Sequence, residues 1–318
     1  PNDELAARDP ESAVRLAAWA QASFETGDNA AALSTIERAT RLIGIRLNAS
    51  GSGGDRSREA GRFRRSLDRH VEIAAEVSRS SNAQAGEEMR GRALEAIQLG
   101  RSTATALATA RLTARLAGTD AELSSLIRQR QDMLDLADRE AKLLEGAQDD
   151  DARQAAARRL AVATRQVEDV ARAIRARAPN LAEAEDLRPL SLPEIRKAMG
   201  PTEALLVSHS TADAVHVAVV TGSAVRLARI DGTRTEIDEL ISEFRSGLDI
   251  DGTLARFRGE LAEDLYRRLI APFEAEIGGK SHLTLVMDGA LESLPFAVLQ
   301  KRSVIQDARP NYLIERFT

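Results

Sequence analysis

Cysteine is absent from the 318 residues, and histidine occurs only as His70, His209, His216 and His282. Without a thiol the chain holds no disulfide framework, no thiolate zinc or iron–sulfur site and no cysteine nucleophile. The histidines fall at no metal-ligand spacing on one helix. His209 and His216 lie seven residues apart in a stretch that reads as strand, so they are core or surface side chains rather than ligands. On these grounds no catalytic, metal-ligating or cofactor-binding residue is assigned, and no cofactor is expected. Long apolar runs are missing too: nothing approaches the ~20 residues of a membrane span. The opening PNDELAARDPES has no charged-then-apolar leader pattern. A cytoplasmic protein without a membrane partner is the expectation.

Charge of one sign is also lacking. Lysine and arginine number 44 against 49 aspartates and glutamates, a net of −5. Residues 1–180 carry 28 basic and 27 acidic side chains, and residues 181–318 carry 16 and 22. Neither half is a basic nucleic-acid binder, and mixed signs along a helix mark solvated faces. Forty of the 44 bases are arginine and alanine is abundant, a codon-usage signature of a GC-rich bacterial genome.

Two further gaps organise the chain. Proline is absent between Pro10 and Pro179, and aromatic residues are absent between Phe63 and Phe244. A proline-free stretch rich in Ala, Leu, Arg and Glu favours helix, and its core must be built from small and aliphatic side chains. Glu11–Thr26 and Asn29–Leu47 read as one helical pair around a Gly27-Asp28 turn. Trp19 and Ala20, Gly27, and then Ala32, Ile36 and Ala39 have the spacing of one tetratricopeptide (TPR) unit. Gly44 stands where such a unit usually ends in proline, and a generic helical hairpin is the alternative. Asn48–Gly54 is a flexible loop. Phe63, Leu67, Val71 and Ala74 then recur at helical spacing to about Val77, Ser80-Ser81-Asn82 breaks the helix, and residues 84–117 resume it with Gly100 inside.

Thr119-Asp-Ala-Glu122 has the form of a capping box. Leu123, Leu126, Ile127, Leu134, Ala137, Ala141 and Leu144 follow on one face to Gly146. Asp149, Asp150 and Asp151 suit the start of the next helix, where carboxylates meet the positive helix end. Leu160, Ala163, Val167, Val170 and Ile174 form the matching stripe, with Arg172, Arg175 and Arg177 at its C-terminal end. The result is a long antiparallel hairpin, either a plain support arm or a docking surface for a protein partner.

Beyond Pro179 prolines cluster and β-branched runs appear. Ser191-Leu-Pro-Glu194 is a second capping box opening a short helix to Gly200. Ala204–Ser208, Ala214–Thr221 and Ala224–Ile230 read as an antiparallel meander. Helices over Thr235–Leu248 and Thr253–Ile277 follow, and then the strand His282–Met287. The fold class is therefore mixed: an all-α helical-repeat and hairpin region, then an α/β partial domain. The divisions are a TPR-like hairpin over 1–50, a helical region with the long hairpin over 51–185, and the α/β part over 186–318.

The segments PLSLPEIRKAM, ALLVSHS, AVHVAVVT, LYRRLIAPFEAEI, LTLVMDGALESLPFAVLQ and YLIERFT occur in that order from Pro189 onward. This order resembles the CHAT domain, a caspase-like domain related to separase that commonly follows TPR-type helices. The strongest likeness is Met287-Asp-Gly-Ala-Leu-Glu-Ser-Leu-Pro-Phe-Ala-Val-Leu299, with Met287 where the family usually has proline. Tyr312-Leu-Ile-Glu-Arg316 is similar to the family's next strand, and ARLAGTDAELSSLIRQRQDML resembles the helical arm that commonly precedes CHAT domains. The resemblance covers about residues 90–318. It implies a cysteine endopeptidase of His–Cys type, in which an imidazole assists the thiolate and backbone donors hold the oxyanion. In the family both catalytic residues lie well downstream of the YLIER-type strand. None is therefore carried over, His282 included, and the chain as given is expected to be inactive.

The residues of the best motif read structurally. Asp288-Gly289 makes a tight turn, glycine being free of the Cβ penalty, and Leu291, Leu294, Pro295 and Phe296 return to the core. Ser208-His209-Ser210 sets hydroxyls beside an imidazole, but strand neighbours point to opposite faces. Gly278-Gly279-Lys280 lacks the spacing of a phosphate loop. Three readings stand: the helical sensor and noncatalytic part of a CHAT peptidase, a nonenzymatic scaffold or pseudoenzyme, and a product of processing at or after Thr318.

Overall fold

Helices occupy the proline-free stretch, and a small sheet begins where the β-branched runs do. The computed structural model describes residues 3–49, 53–117, 120–147, 149–178, 189–248, 257–301 and 311–317. In order come α1 (Asp3–Arg8), α2 (Pro10–Glu25), α3 (Asn29–Ala49), α4 (Gly53–Ser80), α5 (Ala83–Ala117), α6 (Ala121–Gly146) and α7 (Asp150–Arg177). Two compact units result. One holds Pro1–Val14, Ala39–Arg64 and Gln98–Pro189, and the other Arg15–Arg38, Arg65–Ile97 and Leu190–Thr318.

The turn between α2 and α3 sits where the sequence puts it. Gly27 has a φ of 82°. Gly27 N–H donates to the Phe24 carbonyl and Asp28 N–H to that of Ser23, the paired bonds of a Schellman ending. The Asp28 carboxylate then accepts from Ala31 N at 3.0 Å and caps α3. Ala20, Ala32, Ile36 and Ala39 are fully buried. Trp19 is the exception to the repeat-like pattern, being 67% exposed, because Ala17 and Ala20 take the inward positions of α2. The break at Ser80–Asn82 appears as expected, and α5 runs on through Gly100.

The hairpin of α6 and α7 differs at its cap. Asp120, rather than Thr119, is the N-cap, its carboxylate accepting from Glu122 N at 3.0 Å and Leu123 N at 3.1 Å; Thr119 lies outside the described residues. The same carboxylate takes Arg177 Nε at 2.8 Å and Nη2 at 3.1 Å, so one aspartate ties both open ends of the hairpin together. Those bonds, the arginine's first, hold its carboxyl down at about 2. Asp149 caps α7 through Ala152 N at 2.7 Å, with Asp150 and Asp151 in the first turn. Along α7 Ala156, Ala163, Val170 and Ile174 are buried, and Val170 and Ile174 pack with Leu123, Leu126 and Ile127 of α6.

Leu190 leads into α8 (Leu192–Ala198), whose Ser191 N and Oγ both donate to Glu194 Oε2, at 2.9 and 2.7 Å. β1 (Glu203–Ser210), β2 (Val215–Thr221) and β3 (Val225–Arg229) form the expected antiparallel meander, and β4 (His282–Val286) adds to β1 in parallel. The sheet order is β3-β2-β1-β4. Ala204 and Leu206 of β1 and Val215, Val217 and Val219 of β2 face one core. That core is completed by Ile237, Ile241 and Phe244 of α9 (Arg234–Ser246) and by Ala262, Leu265, Tyr266 and Leu269 of α10 (Gly259–Leu269). Val220, Val225 and Leu227, on the opposite face, are buried as well. Covering both faces explains the apolar runs, since a half-exposed sheet would alternate.

The helix expected over Thr253–Ile277 is shorter and interrupted. Residues 249–256 lie outside the described part, and α10 ends at Leu269. A 3₁₀ turn at Ala271–Phe273 and the single turn α11 (Glu274–Ile277) follow. Pro272 is the cause: it has no N–H to donate to the preceding turn, and its ring clashes there. The kink carries Phe273 and Ile277 fully into the core. Phe273→Ala is expected to cost about 3–5 kcal/mol in urea unfolding followed by circular dichroism, whereas the exposed Trp19→Ala stays within about 0.5 kcal/mol.

Candidate functional site

The segment from β4 to Arg316 gathers the most specific sequence motif, and three sets of contacts hold it. The first is at Asp288. Its carboxylate does not cap its own turn; it reaches across to β1. Ser208 Oγ donates to Oδ1 at 2.6 Å, Ser210 N to Oδ2 at 2.7 Å and Ser210 Oγ to Oδ1 at 3.2 Å. Asp288 N returns a bond to Ser208 Oγ at 2.8 Å. Gly289 follows with a φ of 59°, and a Cβ there would lie 3.3 Å from Ser210 Oγ, so both backbone conformation and space favour glycine. A 3₁₀ turn (Gly289–Ser293) then brings Leu291, Leu294 and Phe296 into the core, as the sequence indicates.

The second set lies at the other end of the motif. Arg316 forks onto Glu274, Nη1 to Oε1 at 2.9 Å and Nη2 to Oε2 at 3.1 Å, and Nη1 also donates to Tyr266 Oη at 2.8 Å. The Tyr266 hydroxyl donates to Glu274 in turn. Burial opposes ionisation of Glu274, yet the Arg316 and Tyr266 bonds outweigh it and hold the carboxyl below its ordinary range. Burial, followed by the glutamate's proximity, pushes the Tyr266 phenol up. Next to this cluster β5 (Gln300–Lys301) pairs with β6 (Asn311–Tyr312), and Phe244, Phe257 and Tyr312 stack edge to face in a row.

The third set lies on the opposite face of β1. His209 Nε2 is 2.8 Å from Asp68 Oδ1 of α4, and both side chains are nearly closed to solvent. His216 stands directly opposite His209 in the β1–β2 register. Its Nδ1 is buried with no hydrogen-bond partner among the described residues. Burial, then the neighbouring His209 and Arg229, lower its pKa to about 3. Glu72, one turn beyond Asp68 on α4, has its pKa raised by burial; a bond to Thr211 opposes this, and Asp68 and Asp213 reinforce it. On the same helix His70 is buried and lowered to about 4, by desolvation first and then by Arg92.

The residues singled out in the sequence thus sort clearly. Ser208 and Ser210 point to one face and His209 to the other, as strand alternation requires. His282 is exposed beside Ser281. Gly278 ends α11 by donating to the Glu274 carbonyl, and Lys280 donates to the Pro201 carbonyl at 2.7 Å; these are turn roles. Among the described residues no group of three His, Asp or Glu side chains is arranged to hold a metal ion, and no helix is long and apolar enough to cross a membrane. Asp68 and Glu72 were missed as site residues. Their one signal is the i, i+4 spacing of two acids beside Leu67 and Val71, which also describes many solvated helix faces.

A family model described as CHAT domain matches residues 259–318. The matched segment runs from α10 through the Asp288 turn and past Arg316, and so contains Tyr266, Glu274, Asp288 and Arg316. No curated protein and no solved structure matches the chain.

Removing the arginine fork leaves Glu274 with fewer partners in a half-buried place. Arg316→Ala is expected to lower unfolding stability by about 1.5–3 kcal/mol, with Arg316→Lys recovering only part because lysine cannot bind bidentately. The buried histidines set an acid limb. Both have folded pKa values below that of a free imidazole, so the unfolded chain binds more protons between about 6.5 and about 4. Stability therefore falls as pH drops through that window, by roughly 1.4 kcal/mol per unit for each histidine. The raised Glu72 contributes with the opposite sign above the carboxylate range. Urea titrations at a series of pH values should show a shallower acid limb in His216→Gln.

Proposed function

We propose that this chain supplies the helical sensor or scaffold and the noncatalytic first part of a bacterial CHAT caspase-like cysteine endopeptidase. The observation carrying this reading is the CHAT match over residues 259–318, together with the ordered motifs from Pro189 onward. The His–Cys dyad is assigned to the polypeptide downstream of Thr318, because no cysteine occurs within the 318 residues. The proposed divisions are the TPR-like hairpin over 1–50, the helical region over 51–185 and the partial CHAT-like domain over 186–318. A protein regulator would bind the helical region and shift the downstream site between states through its differential affinity for them. The substrate of the whole protein would be another protein.

One observation favours a second reading, a nonenzymatic scaffold or pseudoenzyme: the chain has no thiol. The coding sequence beyond Thr318 separates the two. The peptidase reading expects a His-Gly segment and a cysteine-bearing strand within ~150 further residues, about one domain length. The longer protein should then cleave peptides and lose that activity on Cys→Ala. Absence of that segment sinks the peptidase reading. The 318-residue chain alone is expected to hydrolyse no peptide in a fluorogenic library assay.

A further inference from the structure

Four consecutive residues of β1 and its following turn hold two different elements at once. Ser208 and Ser210 bind both carboxylate oxygens of Asp288, at the mouth of the CHAT-matched motif. His209, between them, binds Asp68 of α4 on the opposite face. Thr211 follows on the same face, near enough to Glu72, one turn further along that helix, to oppose the rise in its carboxyl pKa. All four residues are buried: Ser208 is 0% exposed, His209 3%, Ser210 4% and Thr211 1%.

The geometry points to residues 208–211 as a two-sided joint through which α4 positions the Asp288–Gly289 turn, with Asp68 and His209 as its positioning residues. Alternation along a strand makes the two contacts inseparable. A rotation of the β1 backbone that moves His209 must move the Ser208 and Ser210 hydroxyls in the opposite sense. Close packing leaves little room for compensation by rotamer change alone. β1 is paired with β4 as far as Val207 and with β2 as far as Ser210, so both ladders lead up to the joint and one continues through it. Gly289 adds a tight tolerance, because the space beside its Cα is already filled by Ser210 Oγ. A protein that binds α4 and shifts Asp68 would thereby loosen or tighten the motif turn. Calling the joint regulatory rests on the peptidase reading above; its mechanics are a property of this chain alone.

Hydrogen exchange read by mass spectrometry on the 318-residue protein tests it. In Asp68→Ala and in His209→Gln, amides of residues 288–294 should exchange about 2–30-fold faster, the range expected for coupling of this size. His209 lies on the face of β1 opposite the Ser208 and Ser210 side chains that bind Asp288. Amides of β2 and β3 should keep their protection. Asp68→Asn, which retains an oxygen for the His209 bond, should restore slow exchange at 288–294. Ser208→Ala should reproduce the fast exchange from the other side. Unchanged exchange at 288–294 with faster exchange in α4 overturns the joint. So does uniform acceleration across the sheet, which signals global destabilisation, and so does failure of Asp68→Asn to rescue. If Asp68→Ala does not fold, His209→Gln against Asp68→Asn gives the same decision. A downstream sequence without a catalytic cysteine would sink the peptidase reading and leave these exchange rates untouched.

Discussion

Asp288 takes three hydrogen bonds into its carboxylate from β1 and gives one back from its own N–H. A half-buried carboxylate is costly unless its oxygens are satisfied, and here two serines on alternate positions and one backbone amide satisfy them. The consequence is geometric. β4 can end only where Ser208 and Ser210 meet Asp288, so Gly289 must turn with a positive φ, and Leu291, Leu294 and Phe296 then fall onto the core shared with α9 and α10. The 205–284 and 207–286 pairings of the parallel ladder lead directly into that contact. Replacing the aspartate by an apolar residue would remove an acceptor shared by two hydroxyls and an amide.

The Arg316–Glu274–Tyr266 cluster plays a comparable part at the opposite end of the matched segment. Tyr266 of α10 and Glu274 of α11 lie eight residues apart, whereas Arg316, after β6, comes from 42 residues beyond Glu274. The proline kink at Pro272 brings Glu274 back beneath Tyr266, and a planar guanidinium then spans both oxygens of the carboxylate. The hairpin of α6 and α7 uses the same device more simply, with Asp120 serving both as helix cap and as the forked partner of Arg177. An arginine-rich, lysine-poor composition suits such bidentate closures, because the guanidinium presents donors in a fixed plane.

The helices were readable because their signals are local. Gly27-Asp28 carries its own turn chemistry, Asp149–Asp151 carries its own cap, and the stripes through Ala163, Val170 and Ile174 repeat at helical spacing. The strands of the meander were readable to within two residues from β-branched runs and short turns. The extent of the last long helix was not, although Pro272 stood inside it, because the apolar spacing of Leu265, Leu269, Phe273 and Ile277 continues across the kink and mimics one face. The cap of α6 is Asp120, one residue beyond the expected Thr119, and its carboxylate also meets Arg177, a partner 57 residues away. For the site, the motif around Asp288 and the family it resembles were visible in residue order alone, and the carboxylate's true partners were not.

Residue order was sufficient for what depends on neighbours: helix and strand type, the glycine turns, the absence of thiol chemistry, and the CHAT-like run from Leu265 to Arg316. Folding supplied the pairings across long separations. Asp68 with His209, Asp288 with Ser208 and Ser210, and Arg316 with Glu274 are each joined by a side-chain bond whose partners lie between 42 and 141 residues apart. Such a bond leaves no periodic trace in sequence, since the spacing of Asp68 along α4 is that of acids on many solvated helix faces. It becomes specific only when strand alternation sends His209 toward α4 and its two serine neighbours toward Asp288.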